Sequence, residues 1–140
     1  PKEIDKFVLG DRNSNSIAIN EHKAFLFSKD KNLLVIPVSM QEEIIWDIVE
    51  EGITPEEGMK IMPPIKKRYF NGAAIFNISK KGFELKGKIS HSDENDNNYR
   101  WSDGVNRSLY INDVLYTMSS KYLKANWLNT LDEAKSIKLR

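Results

Sequence analysis

The chain contains 140 residues, with 21 basic and 20 acidic side chains and a formal net charge of +1. This length corresponds to one domain, and the balanced charge gives no basic surface of the kind that binds nucleic acid or an anionic membrane. Cysteine is absent, which excludes disulfides, thiolate catalysis and cysteine-ligated zinc. No apolar run approaches the roughly 20 residues that a membrane-spanning helix needs, so no membrane span is predicted.

Residues 1–10 predict a single strand, because Ile4 and the run FVL at 7–9 precede a Gly-Asp break. No adjacent segment could pair with this strand in a hairpin, and we interpret it as the outer strand of a preceding four-stranded unit. The first residue is Pro1, and neither an initiator Met nor a signal peptide is present. These features indicate a piece of a longer protein.

Two stretches of the chain repeat a pattern of four short strand-like runs separated by turn residues. Residues 22–91 contain KAFLFS, NLLVIPVS, NGAAIFNIS and GFELKGKIS, and residues 107–140 contain RSLYIN, VLYTMSS, YLKANWL and EAKSIKL. The Asp, Asn, Ser and Gly residues in the turns at 28–32 and 79–82 are typical of antiparallel hairpins. Consecutive sets of four strands are the signature of propeller blades. We therefore predict one partial domain over 1–140, an all-β fragment of a β-propeller with two four-stranded antiparallel blades and one strand of a preceding blade.

Residues 40–67 interrupt the first blade and predict a short helical insertion. Ser39 and Glu42 have the spacing of a capping box, and the apolar residues that follow them have helical periodicity. Trp46 within this insertion has two interpretations. It presents an exposed apolar edge to a partner, or it packs the helix onto the sheet, which is the usual source of helix stability.

The strings HKAFLFSKDKNLLVIPV at 22–38 and GAAIFNISKKGFELKGKISH at 72–91 resemble the archaeal and bacterial secreted C-terminal β-propeller domain family, which is distantly similar to WD40 repeats. RSLYINDVLYTMS at 107–119 resembles the following blade of that family. The resemblance covers nearly the whole chain apart from residues 40–67. It implies a secreted or cell-surface location and, as partners, the remaining blades of a full-length propeller. It implies no catalytic residue.

The loop at 93–98 offers oxygen ligands to a calcium ion. Asp93, Asn95 and Asn97 occupy the first, third and fifth positions of a D-x-N-x-N pattern, and a hard cation favours such carboxylate and amide oxygens. The twelfth position is Gly104 rather than the bidentate Glu of a complete calcium loop. Asp and Asn are also common in turns that bind no ion, so both interpretations stay open. No other cofactor is predicted.

Three residues near the second blade are candidates for binding or modification. Tyr99 and Trp101 would form an aromatic platform for a glycan or a peptide. Asn106 begins a glycosylation sequon, which matters on a secretory route.

The two histidines of the chain also have two interpretations. His22 and His91, together with Asp93, would form a metal or acid–base site if the fold brought them together. Two histidines without a third strong ligand more commonly have a structural role at strand ends.

The sequence contains no nucleophile elbow, zinc-protease, P-loop or dinucleotide motif, and no catalytic residue is predicted. We predict a non-catalytic interaction or structural scaffold of a secreted or cell-surface β-propeller protein, with a protein or a glycan as its ligand. Two alternatives stay open: part of a hydrolase-type or metal-dependent propeller enzyme whose site is completed by missing blades, and an intracellular WD40-like adaptor. Two blades alone leave apolar surface uncovered, so we expect the isolated piece to form a homo-oligomer, head to tail or by exchange of the N-terminal strand.

Overall fold

The computed structural model describes residues 1–45, 65–92 and 104–139, and within them the chain forms two four-stranded antiparallel sheets. Two short 3-10 helices come first, Ile17–Ile19 and His22–Ala24. Sheet A then consists of β1 (Leu26–Ser28), β2 (Leu33–Ile45), β3 (Ile65–Ser79) and β4 (Gly82–Ser90). Sheet B consists of β5 (Arg107–Ile111), β6 (Val114–Met118), β7 (Tyr122–Trp127) and β8 (Glu133–Lys138).

Both sheets follow the chain in up-and-down order, so each strand pairs with its neighbours in sequence. The predicted all-β class and the two four-stranded antiparallel sheets are therefore confirmed. None of the helices in the described ranges is long and apolar enough to cross a membrane.

Local turn chemistry forms the hairpins where the sequence predicts them. Asn112 adopts a positive φ of 53° in the turn between β5 and β6, a conformation that Asn tolerates better than most residues. Gly82 has a φ of 129° at the start of β4, and the Asp5 carboxylate occupies the space that a Cβ atom would need there. Both the backbone angle and this close approach therefore require glycine at position 82.

The predicted helical insertion at 40–67 is wrong at both ends, because β2 and β3 extend into it from either side. The register places Glu42 opposite Arg68 and continues without interruption to the ends of both strands. This long-range strand pairing outweighs the local capping-box spacing. The middle of the predicted insertion, residues 46–64, lies outside the described residues.

Residues 1–10 form no strand, contrary to the prediction. The ring of Phe7 packs against the ring of Phe76 in β3, with the two centroids 5.1 Å apart. This segment therefore lies on a face of sheet A, and it contacts that face through side chains rather than through strand pairing. The first backbone pairing comes later, where Asn15 forms an isolated bridge with Ser39.

The core lies between the two sheets and results from the alternation of side chains along each strand. In β2, Leu33 and Val35 point towards sheet B and are 3% and 0% exposed. Ile75 of β3 and Leu115 of β6 join them in one cluster and are completely buried. The inner face of each sheet is thus covered by the other sheet.

Polar contacts align the two sheets strand by strand. The Ser28 hydroxyl at the end of β1 lies 2.9 Å from the Tyr110 hydroxyl of β5, and Tyr110 packs against the core. On the other side of the sheets, Lys86 of β4 donates a hydrogen bond to the Leu128 carbonyl after β7. The sheets therefore stack in the same orientation, with β1 over β5 and β4 beside the β7–β8 turn.

Truncating Leu115 should lower the free energy of unfolding by about 2–5 kcal/mol, because Leu→Ala in a core removes apolar contacts and leaves a cavity. The matched control is Leu109→Ala, which removes the same atoms from a side chain of sheet B that is 49% exposed. Chemical denaturation followed by circular dichroism measures both variants. Equal losses of stability would contradict the placement of the core.

Candidate functional site

The face of sheet B that points away from sheet A is apolar, and no described residue covers it. In β6, the side chains of this face alternate with those of the buried Leu115 and Thr117. In β5 and β7, they alternate with the residues that pair with Leu115 and Thr117. Five large apolar side chains of this face are 39–57% exposed: Leu109, Ile111, Met118, Trp127 and Ile137. We call this set the sheet B outward face.

The sheet B outward face is contiguous across the strands. Val114 pairs with Ile111 on one side and with Trp127 on the other, and Leu123 connects Met118 to Ile137 in the same way. Single exposed apolar residues are ordinary on a protein surface, whereas contiguous patches mark interaction sites. This face is therefore a candidate docking surface.

The corresponding face of sheet A carries the alternate residues of β2 and β3. Leu34, Ile36 and Val38 alternate with the inward-facing residues of β2, and Phe76 lies opposite Leu34 in the register. We call these four side chains the sheet A outward face. Residues 1–9, which we call the arm, run over this face and cover part of it.

Among the described residues, a hydrogen bond and a ring contact attach the arm to sheet A. The Asp5 carboxylate accepts a 2.8 Å hydrogen bond from the backbone N–H of Phe83 at the start of β4. Phe7 meets Phe76 edge to face, with the ring centroids 5.1 Å apart. Ile4 of the same arm remains 79% exposed, so only part of the apolar surface of the arm contacts the sheet.

A groove of about 360 Å³ remains between the arm and the sheet A outward face. Leu9 of the arm and Ile19 of the first 3-10 helix line it together with the side chains of β2 and β3. This groove is open to solvent and is lined mainly by apolar side chains. The arm therefore covers the sheet A outward face without packing closely against all of it.

The chain is fixed again immediately after the arm. Gly10 has a positive φ of 77°, and Asp11 accepts a 2.9 Å hydrogen bond from the N–H of Asn13 in the turn that follows. Asn15 then exchanges two backbone hydrogen bonds of 2.8 and 2.9 Å with Ser39. A glycine thus connects the arm to a segment that is anchored on the edge of β2.

His91, just after β4, is a buried histidine that joins the two sheets. It is 1% exposed, and its Nδ1 and Nε2 atoms lie 2.9 Å from Ser119 Oγ and 2.8 Å from Thr117 Oγ1. The Tyr122 ring meets the imidazole edge to face at 6.3 Å. Burial, and secondarily the positive charge of Lys124, lowers the pKa of His91 from 6.5 to about 4.

This geometry supports the structural interpretation of His91. The ring nitrogens face the hydroxyl groups of Thr117 in β6 and of Ser119 just after it, and neither partner is acidic. His22 lies exposed on the second 3-10 helix. In the part of the chain that the structure describes, no group of three histidine or acidic side chains is placed to hold a metal ion. The neutral imidazole therefore acts as a hydrogen-bonded bridge between the sheets.

Most of the other residues that the sequence singles out lie outside the described ranges and remain predictions. These are Trp46 of the insertion, Asp93, Asn95 and Asn97 of the calcium loop, and Tyr99 and Trp101 of the aromatic platform. Asn106 is described and half-buried, and its side-chain oxygen is buried with no hydrogen-bond partner in the described ranges. The Ser108 hydroxyl of the same sequon is buried as well, so the sequon is partly enclosed in the folded chain.

The described strand ends show where the two undescribed internal segments attach. Ser90, the last residue of β4, pairs with Gly72, and β2 and β3 extend beyond this pair as a two-stranded ribbon. β4 leads towards residues 93–103, and the ribbon leads into residues 46–64. Both segments therefore attach at the same end of sheet A, a relation that the sequence pattern did not reveal.

Lowering the pH should destabilise the fold through His91. The folded-state pKa is about 4 and that of an unfolded histidine is about 6.5, so between these values the unfolded chain binds a proton that the folded chain does not. The stabilisation by neutral His91 is fully present above about pH 6.5 and is lost as the pH falls towards about 4, by up to about 3 kcal/mol.

Urea unfolding at a series of pH values measures this loss. His91→Gln should remove this part of the pH dependence, and His22→Gln is the matched control for the exchange of a histidine. A His91→Gln variant that keeps the wild-type slope between neutral and acidic pH would contradict the assignment.

Comparison with known proteins identifies the architecture. A family model described as "Beta propeller domain" matches residues 1–131, a range that includes every strand except β8. No curated protein and no solved structure matches the chain. Four-stranded antiparallel sheets that follow one another in sequence and stack face to face in one orientation are the arrangement of adjacent propeller blades. The chain therefore belongs to the beta-propeller domain family.

Proposed function

We propose that the chain is a non-catalytic interaction or structural scaffold within a secreted or cell-surface β-propeller protein. Because one fold supports many functions, the proposal rests on a surface rather than on family membership alone. That surface is the sheet B outward face, where five large apolar side chains lie 39–57% exposed on contiguous strands. An apolar patch of this kind marks a site of interaction on a folded protein.

The partner that fits this face is another apolar β-sheet face. Full burial of a large apolar side chain stabilises by about 1.5–3 kcal/mol relative to full exposure, and Trp127 and Ile111 are 48% and 57% exposed. A sheet with alternating apolar residues would cover them as sheet A covers Leu115. We propose the remaining blades of a full-length propeller as this partner, and a second copy of the chain where those blades are absent.

A protein or glycan ligand is proposed at the end of sheet A where residues 46–64 and 93–103 attach. Loops on a rigid scaffold commonly carry binding residues, and these two segments contain Trp46, Tyr99 and Trp101. The secreted or cell-surface location rests on the family resemblance of the two blades. The sequence of the gene upstream of Pro1 tests that location through the presence of a signal peptide.

The proposed docking surface predicts that Trp127→Ser combined with Ile137→Ser weakens self-association of the chain at least about tenfold, because two large apolar side chains of the patch, each nearly half exposed, are removed. Sedimentation velocity from micromolar to millimolar concentration measures the effect, with circular dichroism to verify folding. Lys29→Ser, an exposed polar change in the β1–β2 turn, is the control. A wild-type chain that stays a monodisperse monomer at the highest concentration would contradict the proposal.

Calcium binding at Asp93, Asn95 and Asn97 is a separate proposal for the same scaffold. Calcium at about a hundred times its dissociation constant should raise the free energy of unfolding by about 2.7 kcal/mol, because only the folded loop binds the ion. Thermal unfolding with added calcium or with chelator measures this. Asp93→Ala should abolish the increase, and Asp30→Ala in the exposed β1–β2 turn should not. No response of the wild-type chain would contradict calcium binding.

A further inference from the structure

We propose that the arm is a displaceable cover on a second docking surface, the sheet A outward face. Its occupant after displacement is the sheet B outward face of a second copy of this chain. The inference rests on the proposed function, since it names the surface of a second copy that the sheet B outward face contacts.

The interface between the two sheets of one chain shows which faces belong together. Sheet A and sheet B stack in the same orientation, as the Ser28–Tyr110 and Lys86–Leu128 contacts establish. The face that sheet A turns towards sheet B is therefore equivalent to the face that sheet B turns away from sheet A. If sheet A of another copy stacks on sheet B as sheet B stacks on sheet A within one chain, the sheet A outward face of that copy covers the sheet B outward face.

The side chains of both surfaces suit this contact. The sheet A outward face offers Leu34, Ile36 and Val38 from one strand, with Phe76 beside them on the next. These side chains stand where the apolar and hydroxyl side chains of β6 stand in the interface within one chain. The contact is heterologous, because two different surfaces meet, so a second copy can add to either end of the first.

Most of the arm is open to solvent, which favours its movement, because residues 1–8 are exposed. Among the described residues, a hydrogen bond from the Phe83 N–H to Asp5 and a ring contact between Phe7 and Phe76 hold it to the sheet. The segment after the arm stays in place during such a movement, because Asn15 is paired with the edge of β2. Gly10, with its positive φ of 77°, is the connecting residue between these two parts.

The groove beneath the arm provides an independent reason for displacement. A groove of about 360 Å³ between the arm and the sheet A outward face is open to solvent, so the arm leaves part of this apolar surface in contact with water. A four-stranded sheet face laid over the same strands would replace a short irregular segment by a continuous apolar surface. The arm and the second copy therefore compete for one surface.

Releasing the arm tests this competition directly. Asp5→Ala combined with Phe7→Ala removes both attachments, and we expect self-association to become about tenfold tighter in sedimentation velocity, since the competing cover is lost. Ile4→Ala is the matched control, because it shortens an arm side chain that is 79% exposed. Adding Trp127→Ser and Ile137→Ser to the released arm should return the chain to a monomer.

A mixing experiment identifies which surfaces meet. The variant with a released arm and a blocked sheet B outward face is labelled with a fluorophore and titrated with unlabelled wild-type chain. We expect one-to-one binding, because the labelled copy offers the sheet A outward face and the wild-type copy offers the sheet B outward face. A labelled chain with an attached arm and the same blocked face should bind about tenfold more weakly.

The outcomes separate this inference from the proposed function. Weaker association on release of the arm would overturn the inference and indicate that the arm is exchanged between copies. Unchanged association on release, with Trp127→Ser and Ile137→Ser still weakening it, would overturn the inference and leave the proposed function intact. Absence of association in every variant and in the wild-type chain would contradict both.

Discussion

The structure depends on one constraint, which is that each four-stranded sheet is apolar on both faces. Along β2, Leu33 and Val35 face inwards and are buried, while Leu34 and Ile36 face the other way. Apolar burial is the main favourable term in folding, but contact between two such sheets can cover only two of their four faces. The arm on sheet A and the exposed patch on sheet B, which includes Trp127, are two consequences of the same constraint.

Apolar contact alone would not determine how the sheets align, because it has no direction. The polar groups buried with it provide that direction. Each ring nitrogen of His91 needs a partner, since a buried polar group without a hydrogen bond is costly, and Thr117 and Ser119 supply both. Sliding one sheet past the other would break these bonds together with the Ser28–Tyr110 contact. The buried histidine therefore selects one stacking out of the many that apolar packing would allow.

Features encoded by neighbouring residues could be predicted from the sequence, and features that depend on distant contacts could not. The strands, the two sheets and the Asn112 and Gly82 turns follow from alternation and local turn chemistry. The helix predicted after Ser39 rested on local spacing and was wrong at its start, where the chain continues as β2 to Ile45 because β2 pairs with β3, far along the chain. A structural role for His91 was one of two interpretations of the sequence, but its hydroxyl partners are distant in sequence and could not be predicted. Thr117 in β6 and Ser119 just after it have the spacing of residues on one face of a strand.

The arm also distinguishes two ways in which copies of this chain could associate. If the sheet B outward faces of two copies met each other, Trp127 would lie at a two-fold interface and the association would end at a dimer. The arm would have no part in that contact, because it lies on the opposite sheet. A head-to-tail contact needs the sheet A outward face and therefore needs Phe7 to leave Phe76. Association should therefore depend on the arm only in the heterologous arrangement. The heterologous arrangement is also the one that repeats the stacking of sheet A on sheet B within one chain.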